Sequence, residues 1–138
     1  MTRFTTYALS AALAVVFAGP LAASERAGLA NEKEINDALV IMAAAEKIQR
    51  ECGSLRGRLF RARSFGERVV DMAVTKGYTE SEIRAFVDND TEKARVRAER
   101  NAYFASRGAS NKDPESLCVL GYSEIAQGSP IGYFLKKK

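Results

Sequence analysis

The sequence predicts an all-α protein: a single small bundle of about five helices with a short C-terminal turn, stapled by one disulfide. Three observations lead there. Apolar residues recur at helical spacing, caps and glycine stops punctuate that pattern, and no segment alternates as a strand between hairpin turns. Two cysteines, Cys52 and Cys118, supply the staple in an oxidising compartment.

Residues 1–23 read as a cleavable secretory signal peptide, which leaves residues 24–138 as the helical domain. Met1 to Arg3 is a short basic start, and Ala8 to Ala18 is an apolar run shorter than the roughly 20 residues that span a bilayer as a helix. Gly19-Pro20 breaks it, and small residues then suit cleavage after Ala23 or Ser24. No cysteine stands nearby for a lipid anchor. The expected mature protein is periplasmic or secreted. Without Arg3 it carries 20 basic and 17 acidic side chains, a mild net charge of +3 with both signs interleaved.

In that compartment Cys52 and Cys118 are expected to pair, although two buried thiols or a redox couple are the alternatives. A redox couple is usually a close CxxC, whereas these residues lie 66 apart. Closing such a loop removes denatured-state entropy worth roughly 4 kcal/mol.

Asn31 and Glu34 form the start signal of the first helix, whose apolar face carries Ile35, Ala38, Leu39, Met42 and Ala45. Glu46 with Arg50 and Lys47 with Glu51 stand at ion-pair spacing on its outer face, and Cys52-Gly53-Ser54 ends it. The second helix is expected from about Leu55 to Lys76, capped by Ser54 and stopped by Gly77. Thr79 to Glu82 is a capping box for a short third helix, and Asp88 to Thr91 breaks that helix and caps a fourth ending at Gly108. Asp113-Pro114 starts the fifth, which presents Leu117, Leu120, Gly121 and Ile125 before Gly128. Ser129-Pro130 begins a last turn that holds Ile131, Tyr133 and Phe134.

Cys52 closing the first helix, GYTESEIRAFVDNDTEKARVRAERNAYFASRG in the middle and CVLGYSEIAQGSPIG near the end together resemble a family of small exported bacterial proteins, catalogued as domain of unknown function 5333. The resemblance spans nearly the whole mature chain. It implies no catalytic residues. It carries a loose association with genes for the respiratory NADH dehydrogenase, of which an exported chain reaches only the membrane arm.

The chain has no histidine, which removes Ser-His-Asp and Cys-His arrangements, an imidazole base and histidine metal ligands. It has no phosphate-cradling glycine loop, and two cysteines supply at most half of a thiolate metal site. Asp88 to Glu99 resembles a calcium loop in its acids, yet Lys93 stands where the turn needs glycine. The sequence therefore calls for no enzyme activity, cofactor or metal.

The candidate interaction surface is basic. Arg56, Arg58, Arg61, Arg63 and Arg68 crowd the second predicted helix, and Lys136, Lys137 and Lys138 end the chain. On a continuous helix Arg56 and Arg63 fall on one flank of the apolar stripe and Arg58, Arg61 and Arg68 on the other. That division, with only Phe60 as an exposed aromatic, disfavours nucleic acid. The lysines read either as a docked tail with charges in solvent or as a contact for anionic lipid. Glu124 falls on the inner face of the fifth helix, with Arg58 as its candidate buried partner or else water at the stripe's edge. The leading expectation is an accessory protein that binds a protein partner at the membrane surface. The alternatives are a binding module for anionic lipid or a small anion, and an unrecognised hydrolase.

Overall fold

The computed structural model describes residues 28–138, so the leader and its cleavage site lie outside the described residues. Five helices follow in order: α1 (Lys33–Glu51), α2 (Leu59–Thr75), α3 (Glu80–Asp88), α4 (Asp90–Ser106) and α5 (Pro114–Ala126). A two-stranded antiparallel ladder joins β1 (Leu55–Gly57) to β2 (Leu135–Lys137). Among the described residues no helix is long and apolar enough to cross a membrane.

α1 is the axis of the bundle, packing against α2, α4, α5 and β1. Its N-terminal half places Ile35 and Ala38 against Val69 and Ala73 of α2, Leu29 and Tyr78. Its C-terminal half places Ala44, Ala45 and Ile48 in a larger core with Phe104, Leu117, Leu120, Phe134 and both ladder leucines, Leu55 and Leu135.

The helix boundaries follow local chemistry at most ends. Thr79 and Glu82 form the reciprocal capping box of α3, Asn89 accepts from the Glu92 amide at the start of α4, and Asp113 caps α5 ahead of Pro114. Gly77, Gly108 and Gly128 adopt φ of 91°, 72° and 61° just past helix ends, a region that L side chains rarely enter. The start of α1 differs from expectation. Leu29–Asn31 is a turn of 3-10 helix and Glu32 holds the N-cap. The buried Asn36 side chain donates to the carbonyls of Leu29, Ala30 and Glu32, which fastens that turn from inside α1.

The second helix also departs from expectation. It starts at Leu59, because Leu55–Gly57 is extended and pairs with the C-terminal segment in the register Leu55–Lys137, Arg56–Lys136 and Gly57–Leu135. Ser54 therefore does not cap it. Leu55 and Leu135 are each about 1% exposed, and burying a leucine contributes about 1.5–3 kcal/mol. That burial outweighs the helix propensity of three residues, each worth at most a few tenths of a kcal/mol to about 1 kcal/mol.

The disulfide joins Cys52, just past α1, to Cys118 on α5. It pins α5 beside the turn that feeds β1. Close packing does the rest: a Cβ on Gly121 would lie 2.5 Å from Leu55, and one on Gly132 would lie 2.1 Å from the Glu124 carbonyl oxygen. The second contact is with backbone, which cannot swing aside.

Candidate functional site

The C-terminal segment folds back along β1 rather than fraying. The Arg58 amide donates to the Phe134 carbonyl at 2.7 Å, and the Lys138 amide donates to the Ser54 carbonyl at 3.1 Å. Leu135 turns inward, Lys136 shares the opposite face with Arg56, and Lys137 reaches out past Tyr122. The tail thus joins the arginine segment, and the two basic stretches of the sequence become one surface.

Within it the five arginines have different partners. Arg58 donates from Nε to the Leu135 carbonyl at 3.0 Å, and Arg61 donates to the Tyr133 carbonyl at 3.1 Å while lying 4.4 Å over the Tyr133 ring. These two clasp the C-terminal segment. Arg63 pairs with Glu67 at 3.1 Å, and Arg68 lies 5.5 Å from the Phe65 ring. Arg56 stands directly across the ladder from Lys136. Among the described residues Arg56, Lys136, Lys137 and Lys138 form no ion pair. Lys137 lies 5.4 Å over the Tyr122 ring, whose hydroxyl donates to Ser54 at 2.8 Å. The expected split of the arginines over two helix flanks fails, since Arg56 is on a strand and Arg58 is the N-cap of α2.

Immediately after this ladder stand Leu59 and Phe60, 74% and 90% exposed. Phe65, by contrast, packs edge-on against Phe134 at 5.0 Å. A cleft of about 180 Å³, lined by Met42, Ala45, Leu59, Ala62 and Phe134, opens behind the exposed pair. The first turn of α2 therefore offers solvent an apolar pair beside a row of cations.

Glu124 is buried at 1% exposed, but Arg58 is not its partner. Arg58 is held by β2. Glu124 instead accepts hydrogen bonds from the Tyr103 hydroxyl on one carboxylate oxygen and the Ser129 hydroxyl on the other. Arg107 Nε stands 3.8 Å away, and Ser129 Oγ accepts from the Gly132 amide at 2.9 Å. Burial, and next the hydrogen bond to Glu124, push the Tyr103 phenol up to about 12. With both hydroxyls directed at a sealed carboxylate, the cluster ties α4 and α5 to the turn that delivers β2.

Two positions escaped the sequence reading. Tyr103 has no local signal, because its partner is 21 residues away. Arg100 is 6% exposed in the middle of a helix that reads as charged all round. Its signal is periodic: Val96, Arg100 and Phe104 share one face, an apolar stripe interrupted by a cation. Among the described residues no group of three His, Cys, Asp or Glu side chains is placed to hold a metal ion.

Searches of curated proteins and of solved structures returned no match. A family profile does match, over residues 27–136, which takes in all five helices and nearly all of the ladder. The chain belongs to that family, DUF5333, a family of unknown function.

Proposed function

We propose that this protein is exported and acts by binding rather than catalysis, docking its basic ladder end and the Leu59–Phe60 pair on an acidic surface of a protein partner at the membrane. The observation that carries this reading is the Arg56–Lys136 juxtaposition, followed by Lys137 and Lys138, which form no ion pair among the described residues. Like charges directly opposite on a ladder oppose pairing by roughly 0.2–1 kcal/mol. Burial of Leu55 and Leu135 offsets that, so the fold retains a charge arrangement that an acidic partner would relieve. An exposed phenylalanine beside it suits the centre of a contact, where aromatic side chains concentrate affinity. The disulfide supports an oxidising compartment, in keeping with the predicted leader and a periplasmic or secreted location. The membrane arm of a respiratory NADH dehydrogenase, the association that the family resemblance carries, is the partner to test first.

The test is affinity purification of the exported protein from its own membranes at moderate salt, beside Arg56→Glu. That substitution places a glutamate across from Lys136. It should leave the domain at least as stable as before while abolishing co-purification of the complex. Undiminished capture by Arg56→Glu would refute the role given to this surface. A second reading, contact with anionic lipid, is favoured by the same lysines, each worth about 1 kcal/mol near such a surface. Salt-sensitive flotation with anionic vesicles, with no protein complex retained, would select it.

A further inference from the structure

A separate groove lies between α1 and α4 and is closed at one side by α3. Its volume is about 420 Å³, within the roughly 300–1,000 Å³ range of small-ligand sites. Along α1, Leu39 and Ala43 lead to Glu46 and Arg50; along α4, Val96 leads to Arg97 and Arg100. Phe86 and Val87 of α3 extend the apolar part. The groove therefore runs from a mainly apolar end, where Glu92 and Lys93 also line the wall, to a cluster of guanidinium groups beside Glu46.

The charges in that cluster do not balance. Glu46 pairs with Arg50 at 2.7 Å. Among the described residues neither Arg97 nor Arg100 has a carboxylate at ion-pair distance. Arg100 is 6% exposed, and both its Nε and its Nη2 donate to one neutral acceptor, Asn101 Oδ1, at 3.1 and 2.9 Å. Its guanidinium also lies 5.8 Å from the Phe104 ring. Its remaining nitrogen, Nη1, has no hydrogen-bond partner among the described residues and is not sealed from solvent. Desolvation lowers the Arg100 pKa, while nearby Glu46 acts in the opposite direction and Arg50 and Arg97 add to the lowering. A buried guanidinium with no carboxylate at ion-pair distance is costly, and the cost is relieved by an oxyanion that its fork can bind.

We propose that this groove binds an amphiphilic carboxylate, a single apolar chain ending in a carboxylate group, with Arg100 and Arg97 on the carboxylate and Leu39, Ala43, Phe86 and Val96 around the chain. Arg97 is exposed at the mouth and closes over the carboxylate from outside, while Arg100 receives it from within. No cation of the ladder surface lines this site, so it is independent of the docking reading above.

The probe is decanoate, titrated calorimetrically into the intact mature protein, with decanol and acetate as controls. Decanoate should bind saturably, and neither control should do so at the same concentration. Arg97→Gln should weaken decanoate binding by roughly tenfold, the value of one charge-assisted hydrogen bond. Arg100→Met should abolish it, while the melting temperature of the free variant stays at or above that of the parent, because an uncompensated buried charge is gone. Decanol binding as well as decanoate, or both variants retaining full affinity, would overturn the proposal. So would the absence of saturable decanoate binding. Should Arg100→Met fail to fold, Arg97→Gln at the exposed mouth decides by itself.

Discussion

Replacing Glu124 by alanine tests how the C-terminal turn is held. The substitution removes the acceptor for two hydroxyl groups, Tyr103 and Ser129, at a site 1% exposed. Hydrogen bonds to a charged group contribute about 1.5–3 kcal/mol each, so their plain sum is about 3–6 kcal/mol. Two effects reduce it. Ser129 keeps its bond from the Gly132 amide, and the mutant no longer bears the desolvation of a carboxylate. A void left between α5 and the turn works the other way. The expected net loss is about 3 kcal/mol, at the lower end of the roughly 3–5 kcal/mol found when one member of a buried charged pair is deleted.

The assay is urea unfolding followed by circular dichroism, with the disulfide intact. Glu115→Ala serves as the comparator, since Glu115 is an exposed acid in the first turn of the same helix. Its removal costs only the interaction with the helix N-terminus, about 0.3–1 kcal/mol. Glu124→Gln preserves shape and one acceptor and should fall between the two. Equal losses for Glu124→Ala and Glu115→Ala would show that the carboxylate holds nothing together. A double-mutant cycle with Tyr103→Phe adds a second check: the two losses should fall well short of additive.

Two further outcomes follow from the same end of the molecule. Replacing both cysteines by serine should cost about 4 kcal/mol for a loop of 66 residues, read as a fall in urea midpoint, and an unchanged midpoint would refute the staple's role. Tyr103 has a folded-state pKa near 12 against an ordinary 10.0, so its contribution is complete below pH 10 and is lost as pH rises toward 12. Between those limits the stability advantage of the parent over Tyr103→Phe should decline, and a constant difference would refute the raising of the phenol pKa by burial and by Glu124.

What the sequence made legible was mostly local. Thr79 with Glu82, Asn89, Asp113 with Pro114, and the glycines at 77, 108 and 128 each act within about four residues of themselves, so their meaning is readable in a short window. The ladder is different. Leu55 to Gly57 is apolar–basic–glycine, a pattern that continues the helical spacing of Leu59 and Ala62 equally well. Only Leu135, some eighty residues on, decides for a strand. That one non-local contact moved several assignments at once. It took Arg56 and Arg58 off the helix, gave Arg58 to the Leu135 carbonyl, and left Glu124 to Tyr103 and Ser129. The apolar face of α5 was readable, and so was Glu124's place on it. Its partners were not, because they come from two other segments.

The same non-local contacts connect redox state to the basic surface. The lysines are presented by a strand of three residues, too short to hold itself in place. Arg58 and Arg61 hold it from α2, Ser129 and Gly132 fix the turn before it, and the Cys52–Cys118 bond fixes the neighbouring turn into β1. Of these, the disulfide alone depends on the compartment. Without it, the ladder would have to form against its own like-charge pair by closing a long loop unaided. The basic surface is therefore the part of the molecule most sensitive to reduction, while the α1–α2 contacts around Ile35, Val69 and Ala73 are the least. Native-state hydrogen exchange on the cysteine-free variant should show this ordering. The amides of Arg58 and Lys138 should lose protection first, and those of α1 around Ile35 should keep it.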